Sequence, residues 1–235
     1  MSILLLSNST GPDGAFLTHA TAWIRAALGP ARRVAFVPYA AVTVSYEATS
    51  ARVAGALASL GVEVVSVHTA SDPAAEIAGS DAVLVGGGNT FALLHAMQAA
   101  GLVEAIRSRV AAGAPYVGWS AGANVVCPTI RTTNDMPVVE PAGFAALGLV
   151  PFQINPHYTD AHPPGHRGET RAQRLTEFVA ANPGVPVVGL PEGTALDVRG
   201  KAVMLLGADA VPIFSGRAPE GERVAAADLA VRLGM

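Results

Sequence analysis

Pro115-Tyr116-Val117-Gly118-Trp119-Ser120-Ala121-Gly122 is the stretch whose reading decides the fold. An apolar run ends in Gly-x-Ser-x-Gly, the pattern of a strand that turns sharply into a helix with a serine at the tip of the turn. A glycine on each side removes the side chains that would clash in so tight a bend. The turn opens a helix, whose free N–H groups can hold a developing oxyanion. A pentapeptide alone is modest evidence, so its surroundings carry the argument.

On either side of the turn, short apolar runs alternate with helical patterns. Ile3–Leu6, Arg33–Pro38, Val62–Val67, Ala82–Val85 and Tyr116–Val117 read as strands. They are rich in Val, Ile and Leu on both faces, as parallel strands covered by helices on both sides should be. Ala15–Leu28, Tyr46–Leu60, Thr90–Ala99 and Val103–Ala112 read as helices. This order predicts a doubly wound α/β fold with a mostly parallel sheet and helices on both faces. From Cys127 to Gly168 the pattern breaks into a Pro-rich, polar stretch, and an irregular segment of that length is usually functional or disordered. A helix resumes over Glu169–Ala181. Val185–Leu190, Ala195–Val198, Ala202–Leu206 and Val211–Phe214 then follow as closely spaced, partly antiparallel strands. No repeat or linker divides the chain, so residues 1–235 read as a single α/β domain.

Composition narrows the class. The chain is 51% apolar and 14% charged with a net charge of −3, which describes a globular protein without a basic stripe for nucleic acid. Mean hydropathy is +0.40. No uninterrupted run of 18 apolar residues occurs, so no membrane span is expected. Met1–Leu6 lacks a basic region and reads as a first strand, not a signal peptide. Cys127 is the single cysteine, which forbids an intrachain disulfide and points to a reducing compartment. No His-Glu-x-x-His, cysteine pair or Asp-rich calcium loop is present, and His157, Asp160 and His162 read as a coincidental grouping. No metal or cofactor is expected.

A serine hydroxyl needs an adjacent base to act as a nucleophile at neutral pH. His19 and His95 lie in helical stretches and read as packing or surface residues, and His68 ends a strand. His162 and His166 fall in a Pro/Gly loop and read as solvated. His157 follows the apolar run Leu149–Ile154, which puts it at the carboxyl edge where α/β sites form, and it is the candidate base. The acid that orients it is Glu192, after the strand Val185–Leu190, or Asp135 in the irregular stretch; the residue pattern leaves both open. Gly86-Gly87-Gly88-Asn89-Thr90 follows a strand and opens a helix, but it matches neither a dinucleotide nor a Walker loop, and Lys201 is the only lysine. It suits an oxyanion hole, with Gly88 or Gly87 as one donor and Ala121 as the other. Arg131, Arg167, Arg171 and Arg174 gather in the same part of the sequence, and arginine presents a fork matched to a carboxylate. Arg171 lies in the first turn of a helix, where a cation costs about a few tenths of a kcal/mol against the dipole, which leaves a use elsewhere open beside the commoner reading of a solvated helix arginine.

These blocks, with Leu4-Leu5-Leu6-Ser7-Asn8-Ser9-Thr10 and Cys127 to Pro137, resemble the peptidase E family of α-aspartyl dipeptidases. The resemblance implies a cytoplasmic serine peptidase that removes N-terminal aspartate from dipeptides. It also implies a fold similar to class I glutamine amidotransferases, with serine where those carry cysteine. On the matching positions Ser120 is the nucleophile, His157 the general base and Glu192 the acid, with Asp135 kept as acid or substrate contact. Arg171 matches the arginine for the aspartate side chain, and Asn89 and Arg131 stand with it as substrate-binding candidates. Thr194-Ala195 departs from the family's bulkier residues and is expected to alter the pocket rim. Two alternatives stand beside this reading. One is a cyanophycinase-like serine peptidase, against which the arginine cluster argues. The other is a non-catalytic, amidotransferase-like binding domain. A small peptide is the expected ligand, and the sequence leaves the oligomeric state open.

Overall fold

The computed structural model describes residues 1–161, 164–165 and 167–235. The first half comprises β1 (Ser2–Leu6), α1 (Thr21–Leu28), β2 (Arg33–Val37), α2 (Tyr46–Leu57), β3 (Glu63–Ser66) and α3 (Pro73–Gly79). It continues with β4 (Ala82–Val85), α4 (Thr90–Ala99), α5 (Leu102–Ala111), β5 (Tyr116–Trp119) and the single turn α6 (Ala121–Asn124). Then come β6 (Gln153–Tyr158), α7 (Arg171–Ala181), β7 (Val187–Pro191), β8 (Ala195–Arg199) and β9 (Ala202–Leu206). The chain closes with β10 (Ala210–Ser215), β11 (Ala218–Ala225) and α8 (Leu229–Arg232).

Seven strands form one sheet in the order β3-β2-β4-β5-β1-β8-β9. The first five are parallel, β8 adds antiparallel to β1, and β9 adds antiparallel to β8. Alternation along each strand sends side chains to opposite faces. Leu4, Leu6, Val34, Phe36, Leu84 and Val117 pack with Ile24, Leu28, Val53 and Leu57 of α1 and α2. Ile3, Leu5, Ala35, Val83 and Tyr116 pack on the other face with Ile77, Leu93, Ile106 and Val110 of α3, α4 and α5. This is the doubly wound arrangement that the apolar runs predict. The parallel registers bring the carboxyl ends of β1, β4 and β5 to one edge, so Ser7, Gly86 and Ser120 emerge side by side.

The later strands do not all join that sheet. β6, β7, β10 and β11 form a second one, in the order β11-β10-β7-β6, with β6 and β7 parallel. Ile154, Val188 and Leu190 of this sheet share a core with Ile3 and Leu5 of the first. The segment around residues 127–134 runs back to this junction, where side-chain amides and a hydroxyl hold it. Asn124 and Thr132 both donate to the Ile154 carbonyl, and Asn134 donates to that of Pro156.

Local differences from the sequence reading have local causes. Leu17 stands at φ 60°, which breaks the expected helix over 15–28 and leaves a short 3-10 turn before α1. Asp72 caps α3 by accepting from Ala74 and Ala75 N–H, with Pro73 in the first turn, a start signal the reading passed over. The β11 strand is mostly polar and exposed, so it carries no apolar run to find.

Gly122 marks the closest approach at the site. A Cβ there would stand 2.1 Å from the Val85 carbonyl oxygen, against backbone that cannot swing aside. Gly122→Ala is therefore expected to lower stability by about 1–3 kcal/mol. Urea unfolding should show it as a lower midpoint at unchanged slope.

Candidate active site

Ser120 sits between β5 and α6 with φ 52° and ψ −113°, a conformation that side-chain-bearing residues rarely adopt. Two backbone bonds hold it: its N–H donates to the Leu6 carbonyl, and its own carbonyl accepts from Asn124 N–H. The hydroxyl is thereby presented above the edge of the sheet. Gly118 and Gly122 make the bend possible, since a Cβ on Gly118 would lie 2.4 Å from the Gly122 carbonyl oxygen.

His157 comes from the other sheet. It sits at φ 55°, where β6 slips register against β7 between Pro156 and Tyr158. The bulge re-aims the side chain, as such irregularities do beside functional sites. Its Nε2 stands 2.9 Å from Ser120 Oγ, and its Nδ1 stands 2.7 Å from Glu192 Oε1. A carboxylate oxygen can only accept, so Nδ1 carries the ring proton and Nε2 is left to accept from the serine hydroxyl. Glu192 follows β7, in a turn completed by Gly193 at φ 76°. Its side chain remains 64% exposed, so the pair adds little stability. What it supplies is the tautomer and orientation of the ring.

Ser7 and Asn8 join the two halves, and the sequence reading assigned neither a role. Ser7 is fully buried. Its hydroxyl donates to the Leu190 carbonyl at 2.8 Å and accepts from His157 N–H at 2.9 Å. Asn8 Oδ1 accepts from Gly193 N–H at 2.8 Å, which fixes the Glu192 turn. The available signal was a polar pair directly after the wholly apolar Leu4–Leu6, at the carboxyl end of a central strand.

Asp135 is not on the imidazole. Its Oδ2 accepts from Thr90 N–H and from the hydroxyls of Thr90 and Thr133, which occupies it at the positive N-terminus of α4. The triad-acid alternative for Asp135 is thus corrected by a stronger local demand for a helix-start anion. Asn89 is the N-cap of the same helix. It accepts from Ala92 N–H and donates to the Met136 carbonyl, so its amide is spent on structure although the residue lines the cavity. Arg131 lies with Phe91, Asp135 and Phe144 in a separate recess, away from the Ser120 cavity. Thr194 and Ala195 are buried, so the departure there does not touch a rim. His162 and His166, and with them the His157–Asp160–His162 grouping, extend outside the described residues.

Gly86, Gly87 and Gly88 line a cavity of about 480 Å³ together with Ser120 and His157. The N–H groups of Gly88 and Ala121 have no hydrogen-bond partner among the described residues. Gly88 is at φ 139°, with the Ala40 carbonyl oxygen 2.2 Å from where a Cβ would stand, so only glycine fits. Arg171 is the first residue of α7, behind a capping box formed by Thr170 and Gln173. Its Nη1 is buried without a hydrogen-bond partner among the described residues. Burial and the neighbouring Arg174 push its pKa down, and Glu192 partly offsets them. Cys127 is fully buried and its thiol is pushed up to about 12 by that burial, so it stays protonated and inert. Among the described residues, no helix is long and apolar enough to cross a membrane.

A hydroxyl on a strand-to-helix turn, backed by an imidazole and a carboxylate, is the geometry of an acyl-transfer hydrolase. The chain belongs to peptidase family S51, whose profile matches residues 3–206. It is 49% identical to peptidase E of Citrobacter koseri over 226 residues, covering 92% of this chain and 99% of that one. It is 47% identical to peptidase E of Nostoc sp. strain PCC 7120 over 213 residues, 90% of this chain and 88% of that one. A solved structure from Listeria monocytogenes EGD-e, provisionally assigned to peptidase E, superposes with a TM-score of 0.64 at 26% identity, covering 88% of this chain and 98% of that one. A peptidase from an acI-B1 Actinobacterium shares the fold at 17% identity, with a TM-score of 0.66 over 96% of this chain and 94% of that one.

The Ser7 hydroxyl is expected to matter beyond its size. Ser7→Ala leaves the His157 N–H buried without a partner, which costs about 1–3 kcal/mol of stability. It also loosens the Ser120–His157 contact. A urea midpoint that falls together with kcat is the expected result, and wild-type values for both would remove Ser7 from the joint.

Proposed function

We propose that this chain is a serine dipeptidase that removes N-terminal aspartate from Asp-Xaa dipeptides. The observation that carries the reading is the hydrogen-bonded line Ser120–His157–Glu192 at the sheet edge, with the buried, unpaired Arg171 Nη1 near Glu192. A cytoplasmic site of action suits a chain whose one cysteine is a buried thiol.

In this mechanism Ser120 Oγ attacks the carbonyl carbon of the aspartyl residue while its proton passes to His157 Nε2. Glu192 steadies the imidazolium through Nδ1–H. The N–H groups of Gly88 and Ala121 receive the oxyanion. The tetrahedral species collapses, the C–N bond breaks, and His157 returns the proton to the leaving amine. Water, deprotonated by the same ring, then releases aspartate and restores the hydroxyl. Arg171 is a cation that burial has stripped of water without supplying a partner for Nη1, so a substrate β-carboxylate is the chemistry it is short of. Cyanophycin-type substrates would bring arginine toward this cation, which disfavours the runner-up.

Purified protein should hydrolyse Asp-Leu well and Asn-Leu, Glu-Leu and acetyl-Asp-Leu poorly, and Ser120→Ala should abolish turnover while unfolding at the same urea concentration. Arg171→Gln should lower kcat/KM for Asp-Leu roughly ten- to a hundredfold, the worth of one charge-assisted contact of about 1.5–3 kcal/mol. Asn-Leu should change far less. Equal losses on both substrates would take Arg171 out of the pocket, and activity retained in Ser120→Ala would refute the serine mechanism.

A further inference from the structure

The cavity that holds Ser120 extends beyond the reacting groups, under the 40–44 loop and along α2 to Arg52. Among the described residues, Arg52 is the only Asp, Glu, Lys or Arg side chain on its lining. The guanidinium is exposed and lies 4.1 Å from the Phe16 ring centroid. The aromatic face holds it there, and it makes no hydrogen bond or ion pair to any described residue. Phe16, Trp119, Val42 and Val44 give the cavity an apolar part, with Val42 and Val44 58% and 55% exposed, beside the hydroxyl-bearing Ser9, Thr43 and Thr49. A cation held over a ring keeps its N–H edge free for an anion.

We infer that Arg52 is a specificity-determining residue that receives the C-terminal carboxylate of the dipeptide, with the second side chain against Phe16, Val42 and Val44. This deepens the proposed function and rests on it. The group that leaves when an Asp-Xaa bond is cut is an amino acid, whose one fixed charge besides the new amine is its carboxylate. Arg171 serves the first residue near Glu192, and Arg52 serves the second from within the cavity. The anchor also counts residues. An extended chain advances about 3.3–3.6 Å per residue, so a third residue would carry the carboxylate past a guanidinium that the ring holds in place.

The test compares Asp-Leu with Asp-Leu-amide, which lacks only the carboxylate charge, at low salt. Arg52 is exposed, so the effect is that of a bidentate pair in partial solvent, about three- to tenfold. Wild-type kcat/KM should favour Asp-Leu by that factor, carried by KM. In Arg52→Gln the ratio should fall to about one because Asp-Leu loses its advantage. Arg52→Lys, which keeps the charge, should restore most of it. A ratio unchanged in Arg52→Gln, or a wild type indifferent to the amide, overturns the anchor and leaves the proposed function standing. No turnover of either substrate by wild type contradicts the proposed function itself, and the anchor falls with it.

Discussion

The hydroxyl of Ser7 is the constraint on which the site depends. It is buried where two sheets meet, and it bonds to both sheet-two strands that carry site residues: to Leu190, two positions before Glu192, and to the N–H of His157. Ser120 belongs to the first sheet, paired to β1 through its own N–H and Leu6. One polar side chain at the end of β1 therefore sets the distance between hydroxyl and imidazole. Ser120 and His157, the proposed reacting pair, both adopt positive φ, each stabilised by the surrounding hydrogen bonds rather than by its own preference. Such conformations persist only where neighbouring structure over-determines them, and here the joint between the sheets does so.

Charge follows the same geometry. The protein is slightly acidic overall, yet in the proposed reading the substrate meets two arginines, Arg171 and Arg52, that form no ion pair with any described residue. Arg171 is partly buried, where removing a contact is costly. Arg52 is exposed, where a contact is worth less and is weakened by salt. The first residue of the substrate should accordingly be selected more sharply than the second. Arg174, by contrast, is tied to Glu169 at 3.8 Å, and Arg131 faces Phe144 in another recess. Proximity in sequence gathered these arginines, and the fold gives Arg131, Arg171 and Arg174 different surroundings.

The parallel half of the fold was legible because its strands are buried on both faces and its helices carry apolar stripes. The elbow was legible because tight backbone approach leaves glycines in the sequence, as at Gly118 and Gly122. The second sheet was not legible as a separate one. Its β7 and β10 read as strands and its polar β11 did not, and strand partners are set by long-range packing that no local pattern encodes. The choice between Glu192 and Asp135 was equally invisible. Both are acids in turns, and only the position of the α4 N-terminus, which occupies Asp135, separates them. Asn89 is equally opaque in the sequence: its side chain caps α4 while the residue lines the cavity.

The central claim is that Ser120 is a hydroxyl activated by His157. It is tested most directly by treating the folded protein with a fluorophosphonate and mapping the adduct by peptide mass spectrometry. The account predicts one adduct, on Ser120, formed at least a hundredfold more slowly in a folded His157→Ala variant, since a serine without its base is a poor nucleophile. An unmodified Ser120 in active protein, or modification that proceeds at the same rate without His157, would contradict it.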